Sequence, residues 1–201
     1  MNYLGIDTSG APLAVLLRCG GRIYEYTEEN CGTRHSAALM PAVRDVLRSA
    51  NASLKDIDVF ACVTGPGSFT GIRIGVSTVK AFCFAEKKPC LAITSFDALA
   101  YDVPNGTALC AVDARHGAAY VRLYENFRPA GEAKFAAAEE FSALCEKYPV
   151  AAAYGAKGLK YLCNPAAGLR RAIEAKAKEA VFDTAALAPL YVRASQAEEG
   201  R

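Results

Sequence analysis

Apolar and polar positions change period several times along the chain, and each change marks an element. Tyr3 to Ile6 is a short apolar run that stops at Asp7-Thr8-Ser9-Gly10, which predicts a buried strand ending in a polar turn. Leu13 to Leu17 predicts a second strand. Gly20-Gly21 supplies the positive φ angles of a hairpin, and Arg22 to Thr27 then alternates as a half-exposed third strand would. From Arg34 to Ala50 the period lengthens: Leu39, Val43, Val46, Leu47 and Ala50 recur at helical spacing, with Arg44, Asp45 and Arg48 on the opposite face. Ser53 to Asp56 has the form of a capping turn before Ile57 to Thr64, a β-branched run that predicts a buried parallel strand. The loop Gly65-Pro66-Gly67-Ser68-Phe69-Thr70-Gly71 leads into a second helix, Ile72 to Ala85, striped by Ile72, Val76, Val79 and Cys83, and Pro89 to Thr94 reads as another strand.

Asp102 to Thr107 gathers Pro104, Asn105 and Gly106 between two patterned regions, so the chain divides into residues 1–103 and 104–201. The second part opens as the first did. Leu109 to Val112 predicts a strand ending in Asp113-Ala114-Arg115-His116-Gly117, Ala119 to Tyr124 a strand after the turn, Ala138 to Tyr148 a helix, and Val150 to Tyr154 a strand running into the loop Gly155-Ala156-Lys157-Gly158. Strand meander, helix and strand therefore occur twice, a weak internal repeat.

Composition narrows the classes. With 201 residues and 52% hydrophobic content the chain can bury a sizeable core. Its 23 basic and 21 acidic residues are interspersed, so no tract gives a field that would grip nucleic acid unaided. None of the eight cysteines stands at zinc or redox spacing, which predicts buried thiols. No apolar run is long enough for a membrane span and the start lacks a signal-peptide pattern, so a reducing cytoplasm is the expected setting.

Candidate chemistry is sparse. A strand ending in Asp-Thr-Ser before a hairpin is how actin-like and sugar-kinase-like ATPases hold a metal-bound phosphate, so Asp7, Thr8, Ser9 and the matching Asp113 are the candidate phosphate-loop residues. The other reading is that each Asp caps its turn, and bulky Arg115 and His116 favour it for Asp113. The loop at 65–71 lacks the Lys-Ser or Lys-Thr of a Walker site, since Ile72-Arg73 follows the final glycine; Ser68 or Thr70 could cap the next helix. The two histidines, His35 and His116, form no helical metal pair, and no serine lies in a nucleophile elbow. No catalytic residue, metal ligand or cofactor is therefore assigned.

The run Gly65 to Gly75 (GPGSFTGIRIG) resembles the signature of the TsaB family, and so do Ile6-Asp7-Thr8-Ser9, His35-Ser36 with Leu39-Met40-Pro41, Asp113-Ala114-Arg115, and Pro189-Leu190-Tyr191-Val192-Arg193, in the same order over nearly the whole chain. The resemblance implies an α/β fold of two lobes, of the actin, Hsp70 and sugar-kinase type (ribonuclease H-like), with duplicated mixed sheets flanked by helices. It implies a non-catalytic subunit that pairs with the catalytic paralogue TsaD, and with the ATPase TsaE, to form threonylcarbamoyladenosine in tRNA. The tRNA would be reached only through the complex, and the isolated chain could pair with itself. It also places both first-lobe helices at the subunit contact, with Leu39, Val43, Val46, Leu47, Ile72, Val76 and Val79 as candidate contacts; the same stripe could simply pack on its own sheet. A small-molecule kinase or ATPase using Asp7, Thr8, Ser9 and Asp113 is the alternative, and a peptidase reading finds no activated nucleophile. The second lobe is short for the family.

Overall fold

The computed structural model describes residues 1–152 and 159–193. Strands β1 (Tyr3–Asp7), β2 (Leu13–Cys19) and β3 (Arg22–Glu28) form an antiparallel meander, with Gly20 and Gly21 at φ 57° and 80° in the β2–β3 turn. Strands β4 (Val59–Val63) and β5 (Cys90–Ile93) add in parallel beside β1, giving the order β3-β2-β1-β4-β5. The second sheet repeats the scheme. Strands β6 (Thr107–Asp113) and β7 (Ala119–Glu125) are antiparallel, β7 pairs with the short β8 (Arg128–Pro129) and β9 (Lys134–Ala136), and β10 (Val150–Ala152) and β11 (Leu159–Leu162) run parallel to β6. Its order, β8-β7-β6-β10-β11, is that of the first sheet, element for element. The fold is thus α/β with two duplicated mixed sheets, the ribonuclease H-like arrangement expected from the sequence.

The pleat explains how the first sheet is covered. Leu4, Ile6, Phe60 and Cys62 point to one face, where helices α1 (His35–Ser49) and α2 (Phe69–Glu86) lie; Tyr3, Val59, Ala61 and Val63 point to the other. The other face is closed by α5 (Pro165–Lys176), which returns from the end of the second sheet and seats Ala166, Leu169, Ala172 and Ile173 there. A short helix, α3 (Ser95–Ala100), joins the sheets and packs against α5, where a Cβ at Gly168 would strike the Ala98 carbonyl. Helix α4 (Ala138–Lys147) covers the second sheet through Phe141. Beyond α5 the chain runs back along the first lobe: Val181 bridges to Cys90, Leu187 is buried in the α1/α2 core, and the Leu190 N–H donates to the Thr64 carbonyl at 2.7 Å.

Where α3 meets both lobes, Asp97 is buried among one cation and several neutral donors. Its Oδ1 accepts from the Tyr124 hydroxyl of β7 at 2.9 Å, and its Oδ2 takes Thr94 Oγ1 at 2.7 Å and Lys176 Nζ of α5 at 3.2 Å. One carboxylate therefore ties the second sheet, the connecting helix and the helix behind the first sheet. The thiols behave as small hydrophobes: Cys31, Cys62, Cys83, Cys90, Cys110 and Cys163 are buried, and burial pushes the Cys83 thiol up to about 12.

Candidate functional site

The turn after β1 and the loop before α2 clasp each other. Asp7 Oδ1 accepts the Ser9 N–H at 2.8 Å and the Ser9 hydroxyl at 2.7 Å, so the side chain closes its own turn. The Ser68 N–H donates to the Ser9 carbonyl at 2.7 Å, and the Thr8 hydroxyl donates to the Gly71 carbonyl at 2.7 Å. Glycine is required here for proximity. A Cβ at Gly67 would strike the Ser9 carbonyl, one at Gly71 the Thr8 carbonyl, and one at Gly75 the Thr8 hydroxyl. Ser68, rather than Thr70, caps α2 by accepting from the Gly71 N–H at 3.2 Å. The groups that would face an anion in a phosphate loop are thus engaged within the protein.

Asp113, at the end of β6, repeats the arrangement of Asp7 at the end of β1: its Oδ1 accepts the Arg115 N–H at 2.8 Å, and Arg115 and His116 take φ of 68° and 53°. Both carboxylates belong to the lining of a single cleft. Asp7, Ser9 and Asp113 line one cleft of about 530 Å³ between the lobes, whereas Thr8 is fully buried outside it. Polar Glu29, Asn30, Ser95 and Asn164 and apolar Ala14, Leu99 and Val112 also line it. The Ser95 hydroxyl donates to the Pro66 carbonyl at 2.7 Å and lies 3.3 Å from the Ser9 hydroxyl, so it braces the clasp. Burial raises the Asp7 carboxyl above the usual carboxylate range, against the lowering pull of its Ser9 hydrogen bonds and of nearby His35. The pattern along the sequence did not single out Glu29, Ser95 or Asn164, because none stands in a motif; each reaches the cleft through tertiary packing. The loop Gly155-Ala156-Lys157-Gly158 lies outside the described residues.

The helix stripes face inward. Leu39, Val43 and Val46 of α1 and Ile72, Val76 and Val79 of α2 are all buried in the chain's own core against the first sheet, and Leu47 is half-buried beside them. An amphipathic helix must first cover its own sheet, and these residues do so. The outward faces carry a different set. Met40 is 51% exposed and Phe84 is 85% exposed, while the small or polar Ser36, Ala37, Ser77 and Ala81 make up other exposed positions of the two helices. At the start of α2, Tyr191 stacks on Phe69 with ring centroids 4.5 Å apart, and Arg73 Nε donates to the Tyr191 hydroxyl at 2.9 Å. Two large apolar side chains held out from packed helices are the signal that the sequence pattern, read only for its buried stripe, passes over.

Comparison with known proteins agrees with this architecture. A family model described as TsaD, tRNA N6-adenosine threonylcarbamoyltransferase, matches residues 28–148. The tRNA threonylcarbamoyladenosine biosynthesis protein TsaB of Escherichia coli (strain K12) is 33% identical over 129 residues, covering 62% of this chain and 55% of that protein. The protein of the same name from Bacillus subtilis (strain 168) is 35% identical over 128 residues, covering 62% and 56%. The chain thus matches about half the length of these curated relatives. YeaZ from Pseudomonas aeruginosa superposes with a TM-score of 0.77 at 26% identity, over 94% of this chain and 99% of that one. The chain belongs to the TsaD-related family, and within it to the TsaB (YeaZ) proteins.

Proposed function

We propose that the chain is a non-catalytic scaffold subunit in the formation of N6-threonylcarbamoyladenosine in the anticodon loop of tRNA, pairing with a catalytic TsaD and working with TsaE. The supporting observation is the exposure of two large apolar side chains, Met40 of α1 and Phe84 of α2, among the small and polar residues that make up the rest of the exposed positions of these helices. Side chains of that size in water are unfavourable alone and become anchors when a partner helix pair covers them. In this reading the first lobe, residues 1–103, presents the docking face, and the second, 104–201, stiffens it through α5 and Asp97. The engaged Asp7-Thr8-Ser9 turn supports a supporting role over phosphate chemistry. An isolated chain would use the same face for a second copy of itself, and tRNA would be held through the assembled complex in the cytoplasm, since a net charge of +2 releases few counterions. Co-expression with the TsaD of the same genome tests the pairing. A stoichiometric complex that dissociates when Phe84 is charged supports it, and no complex at micromolar concentrations overturns it.

A further inference from the structure

Residues 187–193 form a strap that crosses from one lobe to the other. Leu187 sits in the core of the first lobe, and the Leu190 N–H bonds the Thr64 carbonyl there, while Leu190 and Val192 pack against the core shared by α3 and the second sheet. Tyr191 and Arg193, which alternate with these, are exposed. Each outward side chain joins a ring. Tyr191 stacks on Phe69 at 4.5 Å, with the Arg73 guanidinium carbon 5.8 Å from the Tyr191 centroid. The Arg193 guanidinium carbon lies 4.7 Å from the centroid of Phe135 in β9, and Phe135 meets Tyr120 of β7 edge to face at 6.1 Å. Two ring pairs, each with a guanidinium group, are thus joined through the strap.

The surroundings carry one sign of charge. The stretches that supply these side chains, residues 64–85, 114–124, 133–138 and 184–193, contain no Asp or Glu, although the whole chain has 21 acidic residues. Arg73 makes no ion pair among the described residues. The field over this row is therefore positive even though the net charge is only +2. An apolar partner would bury the guanidinium groups without a counter-charge, and an acidic peptide would answer the cations but not the rings. Single-stranded RNA complements both, with phosphates for the cations and base faces for the rings, whereas a duplex keeps its base faces stacked inside. We propose that this row binds single-stranded RNA, with phosphates on Arg73 and Arg193 and an unpaired base on Tyr191, which keeps 40% of its surface exposed. The assignment deepens the scaffold reading and rests on it for the RNA concerned, a tRNA anticodon loop. The contact itself is measured without TsaD, so it can fail while the pairing stands.

Fluorescence anisotropy of labelled oligoadenylate and oligouridylate of about twelve nucleotides, titrated with the full chain at low salt, tests the assignment. Poly-L-glutamate is titrated in parallel. Saturable RNA binding is expected, weakened by added salt and tighter for oligoadenylate, because adenine stacks more strongly than uracil. Tyr191→Leu, which keeps an apolar side chain but removes the ring, and Arg73→Gln should each weaken it about fivefold or more. Arg73 is exposed, so its variant reports on binding even where Tyr191→Leu loosens the strap. Arg48→Gln on α1 removes the same charge elsewhere and should leave the affinity unchanged. The assignment is overturned if neither RNA saturates, if binding ignores both substitutions, or if poly-L-glutamate binds as tightly as RNA and is weakened by the same substitutions, which would make an acidic protein segment the occupant.

Discussion

Gly71→Ala separates local propensity from tertiary packing. Gly71 lies in the first turn of α2, and in a helix Ala is favoured over Gly by about 1 kcal/mol. The packing argues the other way. The new methyl would meet the Thr8 carbonyl, which belongs to the strand end and cannot rotate aside. Relief requires the start of α2 to withdraw, breaking two hydrogen bonds of 2.7 Å, Thr8 Oγ1 to the Gly71 carbonyl and the Ser68 N–H to the Ser9 carbonyl. A buried polar group left without its partner costs about 1–3 kcal/mol, so the pair costs roughly 2–6 kcal/mol. After the propensity gain the net loss is about 1–5 kcal/mol, which in a chain of this size lowers Tm by roughly 2–20 °C. Gly131→Ala is the control: its Cβ would have no neighbour within 4 Å, and the change should stay within about 0.5 kcal/mol. Thermal melts followed by circular dichroism read both. A Gly71→Ala protein melting at or above the wild type would refute the clasp.

Two further outcomes follow from the buried carboxylates. The folded-state pKa of Asp7 is raised, so its favourable contribution is complete below the unfolded value of about 3.9 and is lost as pH rises through the folded value. Asn cannot ionise, so Asp7→Asn should melt higher than wild type at pH 8, with the gap closing toward pH 3.5; a wild type that is the more stable at pH 8 would contradict this. Asp97→Ala leaves Lys176 only its longer contact to Glu179 at 3.7 Å and removes the acceptor for Tyr124 and Thr94, and should cost about 3 kcal/mol in urea unfolding; a loss below about 1 kcal/mol would show that the carboxylate does not join the lobes.

The duplicated sheet was legible because each half repeats apolar run, Asp-terminated turn, hairpin, helix and strand, and side-chain periods of 2 and 3.6 are local properties. What sequence reading missed was short or small. Helix α3 has only six residues, too few for a period, although Thr94 and Asp97 form the capping box that announces it. Strand β9 has three residues and depends on β7 for its existence. Helix α5 mixes small Ala166, Gly168 and Ala172 with Leu169 and Ile173 on its buried side, which weakens its stripe, yet Asn164 caps it directly before Pro165 at the first helical position. At the candidate sites, Asp7 and Asp113 were recognisable from their matched strand ends. The stripe Leu39, Val43 and Val46 was legible as periodicity, and a periodic apolar stripe locates the core, whereas the exposed exceptions Met40 and Phe84 break no period and so leave no local signal.

That distinction decides the most direct test of the scaffold role. Val43→Asp would place a charge in the chain's own core and unfold it, so it cannot report on docking. Phe84→Asp changes a side chain already in water and should leave the melting temperature within about 2 °C of wild type. Titrating TsaD from the same genome into wild-type and Phe84→Asp protein should show association weakened by about 2 kcal/mol or more, roughly thirtyfold, because a charge would then lie in the desolvated centre of the contact. Unchanged affinity for a folded Phe84→Asp protein, and again for Met40→Asp, would contradict the account.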